Sequence, residues 1–410
     1  MRFSKTFIKT LRNAPKDETA KNGILLTRAG YIYKELAGIY DYLPLGLRVI
    51  ENIKSIIRDE LGKIGCEEVS LSLLQNPELW EKTGRWDDKE VDIWFKTKLS
   101  AGGELGLAPT HEEPITSLLK SYVKSYKDLP LYVYQIQNKF RNELRAKSGI
   151  LRGREFLMKD LYSFTATEEE LNDFYSKVEI AYKNIFDRLG IGSDTFEAFA
   201  SGGIFSKYSH EFQTVTEVGE DTVWFNKDNS LAFNDEVFND EVLSEFNCKK
   251  EDFTAKKACE VGNIFKLKFK YSEPLDLKFM NQENQNQTVY MGCYGIGVSR
   301  LMGVIVEKFA DEKGLIWPEN VAPFKYHLVA IGENGEKEAE KIYEKNENLF
   351  FYDDRKSVRF GEKMSDAELM GIPYVVLVSD RLLAEGKIEI TKRETNEKTL
   401  LTTDEFIAKL

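Results

Sequence analysis

The feature that most constrains this chain is the stretch from Gln135 to Phe164, QIQNKFRNELRAKSGILRGREFLMKDLYSF, in which two strand patterns flank a loop crowded with cations. Tyr132, Tyr134 and Ile136 alternate with Val133 and Gln135, the period-two signal of a β-strand. Phe140-Arg141-Asn142-Glu143 follows, then a loop holding Arg145, Lys147, Arg152 and Arg154 around Gly149 and Gly153, then a second strand. Between Ile136 and Asp160 seven Lys/Arg stand against three acids, in a chain of net charge −11. A local excess of cations on an acidic protein calls for an anionic partner or for internal acids that neutralise it. Arginine in particular suits planar, bidentate recognition of phosphate.

At 410 residues the chain has room for two or three domains and a large core. Its 42% hydrophobic and 30% charged residues fit a globular protein, and the absence of an 18-residue apolar run predicts no membrane span. Arg2, Lys5, Lys9 and Arg12 precede no small-residue cleavage site, so no secretory signal is expected. Cys66, Cys248, Cys259 and Cys293 form no CxxC, and His111, His210 and His327 lie far apart. No protein-held metal, zinc included, is therefore expected, and the compartment is read as reducing and cytoplasmic. The acidic balance argues against DNA as a partner, so any nucleic acid must be held by local basic patches.

Residues 1–44 read as irregular and end in Leu43-Pro44-Leu45-Gly46, a turn that launches a helix with Val49, Ile50, Ile53, Ile57, Leu61 and Ile64 at helical spacing. A strand is expected over Glu68–Leu74, a short helix over Glu78–Gly84, and strands over Val91–Phe95 and Leu105–Ala108. Pro109-Thr110-His111-Glu112-Glu113 opens a helix to about Lys124, with Thr110 and Glu113 as its capping box. Thr167 and Glu170 form another, ahead of a helix that carries Leu171, Phe174, Val178, Ala181, Tyr182, Ile185 and Leu189 on one face and stops at Gly190. Residues 226–258 read as an acidic excursion, Val261–Phe269 and Val289–Cys293 as strands, and the latter feeds Gly295-Ile296-Gly297-Val298-Ser299-Arg300 and an apolar helix. Trp317-Pro318 and Pro323 mark a boundary, beyond which strands and helices alternate as a compact α/β unit with a mixed sheet.

Two separated arginines at strand ends, Arg141 and Arg300, suit the two ends of a triphosphate, and Phe156 can stack on a base. Gly295 and Gly297 permit close backbone approach, while the chain has neither a P-loop nor a GxGxxG cradle.

At these residues the chain resembles the class II aminoacyl-tRNA synthetases, and within them the bacterial-type prolyl-tRNA synthetases. The matching strings are Phe140-Arg141-Asn142-Glu143 with Arg154-Glu155-Phe156-Leu157-Met158-Lys159-Asp160, Met291-Gly292-Cys293-Tyr294-Gly295-Ile296-Gly297-Val298-Ser299-Arg300, Pro109-Thr110-His111-Glu112-Glu113 and Ser209-His210-Glu211-Phe212. Arg28-Ala29-Gly30, Leu43-Pro44-Leu45-Gly46 and Gly371-Ile372-Pro373 also match, so the likeness spans essentially the whole chain.

The resemblance implies a catalytic domain over 1–318, an antiparallel sheet flanked by helices, and an anticodon-binding domain over 319–410. It implies ATP-dependent ligation of L-proline to tRNA(Pro) through a prolyl-adenylate by a homodimer, with magnesium accompanying ATP. By the same likeness Arg141, Glu143, Arg152, Phe156, Gln213, Gly297 and Arg300 would bind ATP. Thr110, Glu112, Arg141 and His210 would bind proline, and Arg141 and Arg300 would be the catalytic cations. Arg355, Lys356, Arg359 and Lys363 would meet the tRNA. Alternatives remain: a class II synthetase for threonine, serine or glycine, or a non-catalytic paralogue of a synthetase.

The chain also departs from the family pattern. Ser72 stands where motif 1 usually ends in proline, Asn263 replaces a usual histidine, and Phe205-Ser206 rather than a glycine pair precedes Ser209-His210, with Gly202-Gly203 earlier. Bacterial enzymes of the type this chain resembles commonly carry an editing domain in this interval, so by that likeness the short distance from His210 to Met291 implies that the domain is missing.

Overall fold

The computed structural model describes residues 1–201 and 208–410. The chain divides into two compact units, one of Met1–Leu36, Tyr40–Ile53 and Ile305–Leu410, the other of Ala37–Ile39 and Lys54–Val304. The first 44 residues are not irregular as expected: they hold a helix, Lys21–Arg28, and strands Ile32–Leu36 and Ile39–Tyr42. Helix α1 (Pro44–Lys63) then begins where the Leu-Pro-Leu-Gly turn predicts.

The larger unit is organised on a nine-stranded sheet. Its elements in chain order are β1 (Glu67–Glu68), α2 (Glu112–Leu119), β2 (Leu131–Phe140), β3 (Glu155–Thr165), α3 (Glu168–Arg188), β4 (Thr195–Ser201), β5 (Tyr208–Val215), β6 (Asp221–Asn226), β7 (Ala232–Asn234), β8 (Phe253–Lys268), β9 (Tyr290–Gly297) and α4 (Val298–Phe309). The lateral order is β5-β4-β7-β6-β8-β9-β3-β2-β1, and β5 also pairs with β8. Pairing is antiparallel except between β1 and β2 and between β4 and β7.

Register decides what the sheet can do. Gln135 lies opposite Asp160, Asp160 opposite Gly295, Gly295 opposite Asn263 and Asn263 opposite Glu211. Directly opposed residues share a face, so five strands present one polar row. The adjacent row, Ile136, Lys159, Ile296, Gly262 and Phe212, looks the other way. There α3 buries Leu171, Phe174, Tyr175, Val178, Tyr182 and Phe186. Its N-terminus carries the predicted Thr167/Glu170 capping box, and Gly190 at φ +84° follows its end.

Several elements differ from the sequence reading. The strand expected over Glu68–Leu74 shrinks to Glu67–Glu68 and Leu74–Gln75. Between them side chains replace the ladder: Leu71 N donates to Gln135 Oε1 at 3.0 Å, and Gln137 Nε2 donates to Leu71 O. The strand placed at Val91–Phe95 begins only at Phe95 and runs to Lys98. Helix α2 is shorter than Pro109–Lys124, and Thr110 does not cap it: His111 occupies the N-cap, with no side-chain cap bond. Strand β8 starts at Phe253 rather than Val261, so the end of the expected excursion belongs to the sheet. The remainder lends β7 to the sheet as well and packs Phe233, Val242, Leu243 and Phe253 into a small cluster with Trp224, Phe238 and Phe246.

In the smaller unit the tail contains β10 (Tyr326–Ile331), α5 (Glu333–Lys345), β11 (Phe350–Asp353), α6 (Phe360–Met370), β12 (Tyr374–Ser379), β13 (Ile388–Lys392) and β14 (Lys398–Leu401). The order is β11-β10-β12-β13-β14, with the first three strands parallel and the rest antiparallel, the expected mixed sheet. The closing β13–β14 hairpin was not in the sequence reading. Among the described residues no helix is long and apolar enough to cross a membrane.

Candidate active site

The polar face of the sheet opens into a cleft lined by Arg141, Glu143, Arg152, Phe156, Glu220, Asp221, Glu260, Asn263, Gly297 and Arg300 among others. Arg141 sits just beyond the end of β2, its N–H bonded to Arg154 O at 2.8 Å and its guanidinium 5.2 Å from the Phe156 ring centroid. Its Nε has no hydrogen-bond partner among the described residues. Burial and the nearby Arg300 both disfavour its charge, a strain that an anion would relieve. Arg300, in the first turn of α4, donates from Nε to Leu151 O at 2.9 Å and from Nη1 to Glu260 O at 2.6 Å, with Glu260 Oε2 at 3.4 Å. Gly297 leaves room for it: a Cβ there would lie 3.1 Å from Arg300 Cβ. At Gly295 a Cβ would fall 2.6 Å from Met158 Cε and 2.7 Å from Asn263 Oδ1.

The loop cations divide. Arg152 pairs with Glu143 at 2.9 Å and Glu220 at 3.0 Å, so Glu143 and Arg152 answer each other in the cleft wall. Arg154 donates to the carbonyls of Ala37 and Glu143. Gln213 is buried and spans Glu211 and Asp221, each at 2.9 Å, with its Oε1 unpartnered among the described residues. Burial pushes the Glu211 carboxyl up to about 7.

Thr110 and Glu112 form a second group. Thr110 Oγ1 donates to Glu112 Oε2 at 2.6 Å, and Cys293 Sγ lies 3.4 Å from Glu112 Oε1. Glu113, expected to complete a capping box, is instead buried and held by Thr83 and Arg85. Beneath lies a buried network in which Asp160 meets Lys139 at 2.7 Å, Gln135 at 3.0 Å and the Tyr162 hydroxyl at 2.9 Å.

His210 does not join either group. It opposes Ile264 in the row facing α3, its Nδ1 is 2.7 Å from the Tyr175 hydroxyl and Glu197 is 3.7 Å away. Strand alternation turns Glu211 toward Asn234 and Gln213 while His210 points the other way. Gly202-Gly203 and Phe205-Ser206 lie outside the described residues. Sequence reasoning missed Glu260 and Asp221 as cleft acids. With β8 read from Val261, Glu260 fell outside any strand, and only the register against β5 brings it beside Gln213.

In the tail, Arg355 pairs with Asp353 at 2.6 Å and Asp366 at 2.8 Å and lies 3.8 Å from the Phe3 ring centroid. Lys363 is buried and donates to Ala330 O and Asp353 O. Lys356 and Arg359 are exposed.

Residues 95–309 match the family described as tRNA synthetase class II core domain (G, H, P, S and T), and 325–410 match the anticodon binding domain. The chain is 37% identical to proline–tRNA ligase of Ehrlichia ruminantium (strain Gardel) over 425 positions, covering 99% of each. It is 38% identical to that of Wolbachia pipientis wMel, again covering 99% of each. The chain belongs to the proline–tRNA ligase family. To the family member from Bacillus pumilus (strain SAFR-032) it is 33% identical over 564 positions, more than its own 410 residues, covering 100% of this chain and 99% of the relative. In fold it is similar to a Giardia lamblia prolyl-tRNA synthetase in complex with prolyl-adenylate, with TM-score 0.76 and 20% identity over 93% of this chain and 74% of that one.

Proposed function

We propose that the protein joins L-proline to tRNA(Pro) at the expense of ATP, through a prolyl-adenylate, releasing AMP and pyrophosphate. The observation that carries this reading is Arg141, whose buried Nε has no hydrogen-bond partner among the described residues, standing in one cleft with Arg300, in a chain related over its full length to proline–tRNA ligases. Arg141 would hold the α-phosphate and the activated carboxyl, and Arg300 the γ-phosphate. Phe156 would stack on adenine, Glu143, steadied by Arg152, would meet the adenine amino group, and the backbone at Gly297 would admit the nucleotide. Gln213 would reach ATP from beside Asp221. The proline carboxylate attacks the α-phosphorus in line, pyrophosphate leaves, and the terminal ribose hydroxyl of tRNA then attacks the adenylate carbonyl. No protein nucleophile is required; positioning and charge neutralisation supply the rate.

Thr110 and Glu112 suit the secondary ammonium of proline, a carboxylate facing a cation. His210, bound to Tyr175, would shape the proline pocket from behind the sheet rather than touch the substrate. The oxygen donors Glu260 and Asp221 beside Arg300 fit magnesium, which when bound neutralises phosphate charge. No zinc is assigned.

We further propose a homodimer and a cytoplasmic location, with 1–318 as catalytic domain and 319–410 as anticodon-binding domain. The tRNA contact assigned to Arg355, Lys356, Arg359 and Lys363 rests on the exposed Lys356 and Arg359, with Arg355 and Lys363 supporting their loop from within. The missing editing domain is supported by the small size of the module at 226–252, and purified protein that deacylates alanyl-tRNA would refute that part. A non-catalytic paralogue is disfavoured by Arg141, Glu143 and Arg300 standing in one cleft. The test is amino-acid-dependent ATP–pyrophosphate exchange followed by charging of tRNA(Pro). Proline must support both; exchange with threonine, serine or glycine instead would overturn the assignment.

A further inference from the structure

Arg85 lies outside every motif that the sequence singles out, yet it is the only arginine among the described residues that reaches the Glu112–Glu113 pair. Its Nη1 donates to Glu113 Oε1 at 3.0 Å, to Glu113 Oε2 at 3.1 Å and to the Tyr271 hydroxyl at 2.9 Å, and it stands 3.6 Å from Glu112 Oε2. The guanidinium is walled in by Trp80, 5.0 Å from its ring centroid, and by Tyr271 at 5.4 Å. Glu113 is wholly buried and also accepts from the Thr83 hydroxyl at 2.8 Å.

Two consecutive carboxylates thus share one cation. We propose that Arg85 is a positioning residue for amino-acid binding: it neutralises Glu113 so that Glu112 is left as a single, free carboxylate for the substrate ammonium. This rests on the reading of Glu112 as the group that meets proline.

The alternative arrangement shows why a cation is needed. Without Arg85, a buried Glu113 beside Glu112 has one inexpensive solution, which is for the two carboxyl groups to share a proton. Glu112 would then turn to Glu113 and be lost to the substrate. With Arg85 present its hydrogen bonds go to Glu113 and Tyr271. Glu112 is oriented by Thr110 and Cys293, with Arg85 beyond hydrogen-bond reach. Lys270 is another nearby cation, within electrostatic reach of both acids.

The experiment measures KM for proline, KM for ATP and kcat in pyrophosphate exchange for R85M, R85K, E113Q, R85M/E113Q and E112Q of the full chain, with melting curves. R85M is expected to raise KM for proline roughly tenfold or more while KM for ATP moves less than about twofold, with partial recovery in R85K. The double variant R85M/E113Q, which removes the surplus carboxylate with its cation, is expected to restore KM for proline to within about threefold of wild type. If R85M leaves KM for proline unchanged, or shifts both KM values equally, or if R85M/E113Q is no better than R85M, the proposal is overturned. E112Q separates the two readings: an unchanged KM for proline there removes the role of Glu112 itself, whereas a raised KM in E112Q with a normal one in R85M removes only the role of Arg85.

Discussion

Arg141 and Arg300 in the cleft, and Arg355 and Lys363 in the tail, are four sheltered cations that differ in what answers their charge. Arg355 grips two carboxylates, and Lys363 spends its donors on two carbonyls beside Asp353. Among the described residues the Nε of Arg141 has no hydrogen-bond partner, and Arg300 meets two carbonyls and one carboxylate at 3.4 Å. The first pair has its electrostatics closed within the fold, whereas the second holds positive charge in reserve. A count of lysines and arginines along the sequence sees the two regions as alike.

The strongest way to break this contrast is to truncate one member of each pair. Arg141→Ala or Arg300→Ala should cost roughly a hundredfold or more in pyrophosphate exchange while leaving the melting temperature within a few degrees of wild type; near-native exchange in both would erase the distinction. Arg355→Ala should do the reverse. It leaves the fully buried Asp353 and its neighbour Asp366 without their shared cation, at a cost of about 3 kcal/mol in denaturant unfolding with exchange intact. Substituting the exposed Lys356 and Arg359 should change neither. It should weaken tRNA binding severalfold and lower the salt slope by about one per removed phosphate contact.

Acid titration sharpens the contrast from another side. Burial pushes the His327 imidazole down to about 4, and neither ring nitrogen has a hydrogen-bond partner among the described residues. Asp353, Asp366, Arg355 and Lys363 surround it electrostatically. Its folded value lies below its unfolded one, so the unfolded chain binds the extra proton between the two. Stability is then full above the unfolded value of about 6.5 and is lost as pH falls toward 4, at no more than about 1.4 kcal/mol per pH unit. His327→Phe should flatten that slope in a denaturation series, leaving the share due to His111 and His210, which burial also depresses. The smallest effect separates two threonines with the same local signature. Thr167→Ala should cost about 1 kcal/mol of stability by removing a helix cap. Thr110→Ala should leave stability nearly unchanged and raise KM for proline, because its hydroxyl serves Glu112 rather than a helix end.

Those two threonines show where local reading stops. Both precede a glutamate at the third position, but Glu113 is claimed by Arg85, twenty-eight residues earlier in the chain. Similarly, period-two alternation found β2, and β3 and β9 read as strands from their own sequences. The same reading extended a strand over Glu68–Leu74, where the side chains of Gln135 and Gln137 instead substitute for a backbone ladder. The likeness to the synthetases singled out Arg141, Arg300, Thr110 and Glu112 as candidates because those residues sit in contiguous strings. Glu260, Asp221 and Arg85 sit in none.

The sequence by itself determined the central strands β2, β3 and β9, the long amphipathic helices, the mixed sheet of the tail and the family, because periodicity and contiguous motifs are local and survive without knowledge of partners. Tertiary structure alone decided the face on which each side chain emerges and the charge that meets it. His210 turned to Tyr175, Arg355 closed on its aspartates and Glu113 was taken by Arg85, each through strand register or a long-range contact. An ion pair depends on distance and burial, and neither is written in the spacing of residues along a chain.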